Sequence, residues 1–168
     1  GKGEAAEAAL HKAIELAPNN PSYAYELAVA IRKQGRTWQE VEALQAALAL
    51  DAGNAQWQFE LGEAQDKMNR FAEAGQAFQA ANRLQPGNAQ WHFREGWAWE
   101  RAGDDKQAEI AYAAATAADE SLNAKTLGIG VFHQQRGFWS QAALAYASQL
   151  QRQPDIAQLH YRLGLAHE

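Results

Sequence analysis

The sequence contains no cysteine among its 168 residues, so disulfide bonds and thiolate chemistry are excluded. It also lacks a long apolar run, which argues against a membrane span or a secretory signal. Basic residues do not dominate, since 15 lysines and arginines face 20 aspartates and glutamates, for a formal net charge of −5. Non-specific binding of nucleic acid needs a positive surface. We therefore expect no nucleic-acid partner, no membrane insertion and a cytoplasmic location.

Proline and β-branched residues are scarce, and the remaining composition favours helices. Only four prolines occur, and none interrupts a segment with helical apolar spacing. The strong helix formers Ala, Leu, Glu and Gln dominate instead. With 47% hydrophobic and 21% charged residues, the chain is globular rather than disordered. The sequence predicts an all-α protein.

One short segment recurs almost unchanged after 34 residues. NAQWQFELG at residues 54–62 returns as NAQWHFREG at residues 88–96, identical at six of nine positions. Three series of residues recur at the same interval. The first contains small residues within helical stretches, the second contains Gly or Asn between two such stretches, and the third contains bulky apolar residues. In that order the three series are Ala28, Gly62, Gly96, Gly130 and Gly164; Gly35, Asn69, Gly103 and Gly137; and Leu10, Leu44, Phe78, Tyr112 and Tyr146. Several independent series with one period indicate tandem repeats.

Each period predicts one helical hairpin. Apolar residues lie at helical spacing on both sides of a Gly or Asn, which can adopt the left-handed conformation that ends a helix. Proline follows the second helical stretch at Pro18, Pro86 and Pro154, where it blocks continuation. The small residues let the first helix approach the second, and the bulky series fills the space between them. Because one hairpin cannot bury its apolar face alone, the hairpins must stack into a solenoid.

The pattern resembles the tetratricopeptide repeat, best carried by residues 55–88 with Leu61, Gly62, Asn69, Ala74, Phe78, Ala81 and Pro86. The resemblance implies an all-α fold, a right-handed α-solenoid of 34-residue helix-turn-helix repeats in a single domain over residues 1–168. We place a half repeat at 1–20, full repeats at 21–54, 55–88, 89–122 and 123–156, and a half repeat at 157–168. Helices are expected near 2–16, 21–34, 37–50, 55–68, 71–84, 89–102, 105–118, 123–136, 139–152 and from 157 onward. Glu40 departs from the pattern by replacing the small residue of the Ala74 series, which predicts a rotated or shifted helix, and Glu95 departs by replacing Leu61.

The resemblance also implies a groove, lined by the first helix of each repeat, that binds a protein or peptide. The residues that it assigns to this groove are Tyr25, Phe59, Glu63, Gln90, Phe93, Arg94, Trp97, Arg101, Leu127, Val131 and Tyr161. Phe93 and Trp97 are four residues apart, so they are neighbours on one helix face and form a good anchor for a partner. Aromatic residues at helical spacing are more often core. We favour the core for Trp57, Trp91 and Trp99, and for Trp97 both interpretations stay open.

Motifs of enzyme chemistry are missing from the sequence. No serine lies in a Gly-x-Ser-x-Gly turn, no glycine-rich phosphate loop occurs, and the five histidines are scattered. We therefore expect no catalytic residue, no metal site and no cofactor.

The leading functional prediction is a protein-interaction or scaffolding module that binds a partner segment in its groove, within a larger bacterial protein. An alternative rests on residues 159–168, LHYRLGLAHE, which resemble repeats beside bacterial surface-polysaccharide transferases. This alternative is a non-catalytic domain of a capsule or cell-wall polymer transferase, aiding assembly or polymer handling. A structural spacer is a third interpretation. The sequence begins and ends within a repeat, so we also hypothesise self-association through the incomplete terminal repeats.

Overall fold

The computed structural model describes residues 2–118, 128–135, 137–152 and 154–167. Within these ranges the chain forms helices and no strands, and 82% of it is helical, against roughly a third in an average globular domain. The helices are α1 Lys2–Leu16, α2 Pro21–Arg32, α3 Thr37–Leu50, α4 Ala55–Lys67, α5 Phe71–Leu84, α6 Ala89–Ala102, α7 Asp105–Ala118, α8 Gly128–Gln135, α9 Trp139–Arg152 and α10 Ala157–Ala166. No helix in the described ranges is both long enough and apolar enough to cross a membrane.

The predicted all-α architecture of helical hairpins is confirmed, and the helices lie where the repeat pattern places them. Among the first seven helices, only α2 and α4 differ from the predicted bounds. They end at Arg32 and Lys67 instead of at residues 34 and 68, which is within the usual uncertainty of helix boundaries. The eighth helix was predicted to begin at residue 123. Residues 119–127 lie outside the described part of the chain, so its predicted start and Leu127 are not placed.

The turn residues predicted from the 34-residue interval have the backbone conformation that the prediction requires. Gly35, Gly103 and Gly137 have φ angles of 73°, 82° and 75°, and Asn69 has 58°. These are left-handed conformations, which Gly adopts freely and Asn tolerates better than most residues. Each hairpin therefore reverses direction at a residue suited to a tight turn.

Asparagine side chains cap the first helix of three successive hairpins. The Oδ1 atom of Asn20 accepts a hydrogen bond from the backbone N–H of Ser22 at 3.1 Å. Asn54 and Asn88 accept from the backbone N–H groups of Trp57 and Trp91 at 3.1 and 3.2 Å. Each cap satisfies a backbone donor that has no partner inside its helix. The segment NAQW is repeated because it is a helix start.

An aromatic ring of one helix lies directly against a glycine of its partner helix. A methyl group added at Gly62 would stand 2.7 Å from the ring of Phe78, and one at Gly96 would stand 2.7 Å from the ring of Tyr112. Phe78 and Tyr112 are almost completely buried. The small and bulky series of the sequence thus form one contact, in which the ring packs on bare backbone and brings the helices close.

Glu40 is accommodated by an ion pair. Its side chain is buried, and it accepts a hydrogen bond from Nε of Arg32 at 2.5 Å, while Nη2 of Arg32 donates to Glu60 at 2.6 Å. Burial acts to lower the pKa of Arg32, but the hydrogen bonds to Glu60 and Glu40 raise it overall, so this arginine stays charged. The predicted displacement of the helix does not change its bounds, because α3 begins at Thr37 and ends at Leu50. The network ties α2, α3 and α4 together.

Candidate partner-binding surface

The first helices of successive hairpins are joined by stacked aromatic rings. Tyr25 of α2 stacks on Trp57 of α4, with ring centroids 4.9 Å apart and planes 17° from parallel. Phe59 of α4 stacks on Trp91 of α6 at 4.8 Å and 14°. Both Tyr25 and Phe59 keep part of their surface exposed. Two of the predicted groove residues therefore also hold neighbouring repeats together, by contacts typical of aromatic packing.

The hydroxyl of Tyr25 is engaged as well. It donates a hydrogen bond to Oε1 of Glu60 at 3.2 Å, and the amide of Gln56 donates to the same oxygen at 2.9 Å. Burial raises the pKa of Tyr25, and the nearby charge of Glu60 raises it further, since both disfavour the phenolate. A partner at Tyr25 would meet a side chain whose ring and hydroxyl already have contacts.

Four tryptophans lie in the first helices of the hairpins, and Trp97 is the exposed one. Its surface is 43% accessible, whereas Trp57, Trp91 and Trp99 are each 8% accessible. The core prediction is confirmed for those three. Trp97 belongs to the surface, which answers the question that the sequence left open.

Phe93 lies one turn before Trp97 on α6. It is half-buried, and its ring leans on that of Tyr112 in α7, with centroids 5.4 Å apart and a 48° tilt. At the position that corresponds to Trp57 and Trp91, the next repeat has Lys125, which lies outside the described residues. The stacked series in the described structure thus ends at Trp91. Phe93 and Trp97 form a partly exposed aromatic pair on α6.

Charged residues beside this pair neutralise one another. Nη1 of Arg101 lies 3.1 Å from Oδ1 of Asp66, and Nη2 of Arg94 lies 3.6 Å from Oδ2 of the same carboxylate. Arg94 also reaches Glu63 at 4.0 Å. These pairs connect α6 to α4 and bring together Glu63, Arg94 and Arg101, all three predicted for the groove. Exposed pairs of this kind add little stability, but they leave the surface with balanced charge.

The remaining predicted residues that the structure describes lie on α6, α8 and α10. Gln90 is exposed near the start of α6. Val131 of α8 is half-buried against a hydrophobic cluster formed by α9 and α10, and Tyr161 of α10 is exposed. The structure therefore concentrates the candidate surface on α4 and α6.

Phe71 is a residue that the sequence did not point to. The guanidinium of Arg101 lies over its ring, 3.9 Å from the centroid, a distance that suits a cation–π contact. The corresponding residues of the other repeats are Thr37, Asp105 and Trp139, so no periodic signal marks the position. The described residues contain no group of three or more His, Cys, Asp or Glu side chains that could hold a metal ion.

The stacked helical hairpins and their glycine–aromatic contacts define an α-solenoid. Its partly exposed aromatic pair lies on α6. Residues 1–55, 41–89 and 59–122 match the family model of the tetratricopeptide repeat. The chain belongs to this family. A search of curated proteins finds no match.

Solved structures share the fold. A crystal structure of MamA superposes with a TM-score of 0.71 at 22% sequence identity, covering 94% of this chain and 92% of that one. MamA from Desulfovibrio magneticus gives a TM-score of 0.69 at 16% identity, over 94% and 89% of the two chains. YrrB gives 0.66 at 19% identity, over 95% and 82%. Identities this low establish the fold alone. The transferase resemblance of residues 159–168 finds no support in these matches.

Proposed function

We propose that this chain is a protein-interaction module that binds a peptide segment of a partner protein across α4 and α6, with Trp97 as the anchor. The observation that carries the proposal is the exposure of Trp97, at 43%, beside three tryptophans that the same helices bury. Large aromatic side chains dominate binding hot spots. An exposed tryptophan next to Phe93 offers a partner more apolar area than any neighbouring position on α6.

The balanced charges around Trp97 favour an apolar partner residue over a charged one. Arg94 and Arg101 already pair with Asp66, so an acidic residue would have to displace a carboxylate that is held in place. An apolar or aromatic side chain would meet Trp97 and Phe93 without that cost. YrrB, which shares the fold, is described as having an unusual peptide-binding site. This supports, by family, a peptide ligand for the surface.

Peptide display on this chain, followed by affinity measurement on two tryptophan variants, tests the proposal. Peptides selected on the wild-type protein are measured against Trp97→Ala and Trp38→Ala by fluorescence anisotropy. Trp38 is the matched control, because it is 52% exposed but lies on α3, the second helix of its hairpin. We expect a dissociation constant on the order of micromolar for the wild type.

The two variants should differ in binding and agree in stability. Loss of a hot-spot tryptophan costs about 2 kcal/mol or more, so Trp97→Ala should weaken binding by roughly 30-fold or more. Trp38→Ala should bind like the wild type. Thermal melts of both should stay close to the wild type because both residues are about half exposed and lie outside the core. Equal binding by the two variants, or a large loss of stability in Trp97→Ala, would remove Trp97 from the site.

Two broader expectations belong to the same proposal. We propose that residues 1–168 act as one domain, with the four full repeats bounded as the sequence predicts. Limited proteolysis should then give no stable fragment cut between repeats. The cytoplasmic location stays a prediction, which fractionation of cells that express the natural protein would check.

A further inference from the structure

A cleft of about 330 Å³ opens between α5, α6 and α7. Its floor contains Asn82 of α5 together with His92 and Glu95 of α6, and its rim contains Arg83 and Ile110. Asn82 and Glu95 are only 4% and 5% exposed, whereas Arg83 and Ile110 are exposed. The cleft therefore joins a polar floor to a partly apolar entrance.

Glu95 has an incomplete set of partners. Its Oε2 atom accepts a hydrogen bond from Nδ2 of Asn82 at 2.8 Å and lies 3.7 Å from Nδ1 of His92. Among the described residues, no lysine or arginine forms an ion pair with it. A buried carboxyl group is costly unless a positive charge and several hydrogen bonds compensate for lost water. The described residues give it one hydrogen bond and no lysine or arginine partner.

Two more polar atoms of the floor lack a hydrogen-bond partner among the described residues. Nε2 of His92 lies 2.9 Å from the carbonyl oxygen of Pro86. Because a carbonyl can only accept, Nε2 carries a proton and donates it to this oxygen. Nδ1 of His92 and Oδ1 of Asn82 have no hydrogen-bond partner in the described structure. Oδ1 of Asn82 and the carboxylate of Glu95 are acceptors, so the floor has acceptor capacity that the described residues leave unfilled.

Two other repeats of the same chain build this junction without polar residues. The positions equivalent to Asn82 and Glu95 hold Leu48 and Leu61 in the preceding repeat, both buried in one hydrophobic cluster. Two repeats later they hold Leu150 and Leu163, which also pack together. The architecture therefore does not require the Asn–Glu pair.

The histidine, in contrast, also occurs at the equivalent position of a repeat with a leucine pair. His160 repeats the contact of His92, with Nε2 at 2.7 Å from the carbonyl oxygen of Pro154. That contact accompanies a leucine pair in one repeat and the Asn–Glu pair in the other. The pair Asn82–Glu95 is therefore what distinguishes this junction from its counterparts.

We propose that this cleft binds the charged end of a lysine or arginine side chain of a partner protein. An ammonium or guanidinium group brings positive charge and N–H donors to the unfilled acceptors of the floor. Ile110 at the rim gives the aliphatic stem of such a side chain an apolar contact. The volume is at the lower end of ligand sites, which suits one side chain better than a larger molecule. Arg83 forms no ion pair with Glu95 in the described structure, and its Nη2 atom donates to Gln79 at 2.9 Å.

The cleft is separate from the Trp97 surface. Glu95 and Trp97 are two residues apart on α6, which places them about 200° apart around the helix axis. A partner could occupy either surface alone. The two proposals can therefore fail independently.

Nuclear magnetic resonance titration with short peptides tests the cleft. The probes are acetyl-Ala-Lys-Ala-amide and acetyl-Ala-Arg-Ala-amide, with the neutral acetyl-Ala-norleucine-Ala-amide as the matched control and n-butylammonium chloride as a free cation. We expect both basic peptides to shift the side-chain amide signal of Asn82 and the backbone signal of Ala111, with dissociation constants on the order of millimolar. The norleucine peptide should bind at least tenfold more weakly.

Substitutions in the floor and at the rim test whether the basic peptides bind in the cleft. Asn82→Leu combined with Glu95→Leu copies the pair Leu48–Leu61, so it should fold, and it should lose at least tenfold in affinity for the basic peptides. Glu95→Gln, which removes the charge and keeps the shape, should show the same loss if the double variant folds poorly. Arg83→Gln should bind as tightly as the wild type or more tightly, because a like charge leaves the rim.

Several outcomes would overturn the proposal. Equal shifts with the norleucine peptide would show that charge plays no part. Undiminished binding by the double variant and by Glu95→Gln would place the ligand elsewhere. Binding of n-butylammonium without binding of either basic peptide would indicate a site for small amines instead of a partner side chain. Trp97→Ala should leave all these titrations unchanged, so a failed Trp97 proposal does not decide this one.

Discussion

Replacing Gly62 by alanine should push a methyl group into the ring of Phe78. The added Cβ atom would lie 2.7 Å from Cδ1 and Cε1 of that ring and 3.0 Å from Cγ. Phe78 is 1% exposed, and the centroid of its ring lies 5.1 Å from that of Phe59. The ring has no open space into which it can withdraw. Relief of the contact therefore requires α4 and α5 to separate by a few tenths of an ångström or more.

Two opposing terms set the size of the effect. Alanine in place of glycine stabilises a helix by about 0.5–1 kcal/mol. Overpacking of a buried contact costs about 1–3 kcal/mol. We expect Gly62→Ala to lower the free energy of unfolding by about 1–2 kcal/mol, because overpacking exceeds the gain in helix propensity.

Gly164 provides a control within the same series of small residues. It lies in α10, 102 residues after Gly62, and no described atom outside its chain neighbours and its own helix backbone lies within 4 Å of an added Cβ. Gly164→Ala should therefore show only the gain in helix propensity, about 0.5–1 kcal/mol of added stability. Urea denaturation followed by far-UV circular dichroism measures both. Changes of the same sign in the two variants would refute the claim that the Gly62–Phe78 contact sets the helix separation.

Three further predictions concern the helix caps, the pH dependence and the state of association. Asn54→Ala should lower the free energy of unfolding by about 1 kcal/mol, because it removes the cap of α4; Arg70→Ala, at a helix start without a side-chain cap, should change it much less in the same urea experiment. The pKa of Tyr25 is raised above its ordinary value of about 10, so the unfolded chain loses this proton first and stability should decline as pH rises above that value. Tyr25→Phe should reduce that decline in urea denaturation at alkaline pH, whereas an unchanged decline would assign it to other groups. Head-to-tail association through the terminal repeats predicts a sedimentation coefficient that increases with protein concentration, and a constant monomer value would contradict it.

Helix positions and turns could be predicted because they depend on residues close in sequence. The left-handed conformation of Asn69 could be predicted because Asn tolerates it and because helical apolar spacing occurs on both sides of this residue. The contact between Gly62 and Phe78 follows from two series with the same period. In a repeat protein, the helix and turn positions of one repeat recur in the others at a fixed interval. The same few local signals therefore predict most helices and turns of the described residues.

The buried carboxyl groups could not be predicted, because their partners are set by packing between helices. Glu40 pairs with Arg32 across a turn, and Arg32 in turn reaches Glu60, 28 residues away. Glu95 meets Asn82, 13 residues earlier. The sequence shows Glu40 and Glu95 as departures from a small and an apolar series. Whether such a departure is resolved by displacement, by an ion pair or by a ligand depends on geometry that no periodic pattern contains.

The exposure of Trp97 illustrates how far the sequence can lead. At about 100° per residue, Trp91, Glu95 and Trp99 lie within an arc of roughly 80° on α6, while Trp97 is directed well away from that arc. Once Trp91 and Trp99 are assigned to the core, the same wheel places Trp97 outside it. The sequence could not make that assignment alone, because a solenoid helix is contacted on several sides. The 8% exposure of Trp91 and Trp99 supplies the missing orientation.

Helix α6 is the element on which both proposed surfaces depend, and its packing explains how it can serve both. Gly96 lies between Glu95 and Trp97, and an added Cβ there would stand 2.7 Å from the ring of Tyr112. This contact fixes α6 against α7 and so holds the helix in one rotational setting. Rotation by a single residue position, about 100°, would carry Trp97 and Glu95 away from their present environments. The glycine–aromatic contact that builds the repeat is thus also what keeps the aromatic surface and the polar cleft on different sides of one helix.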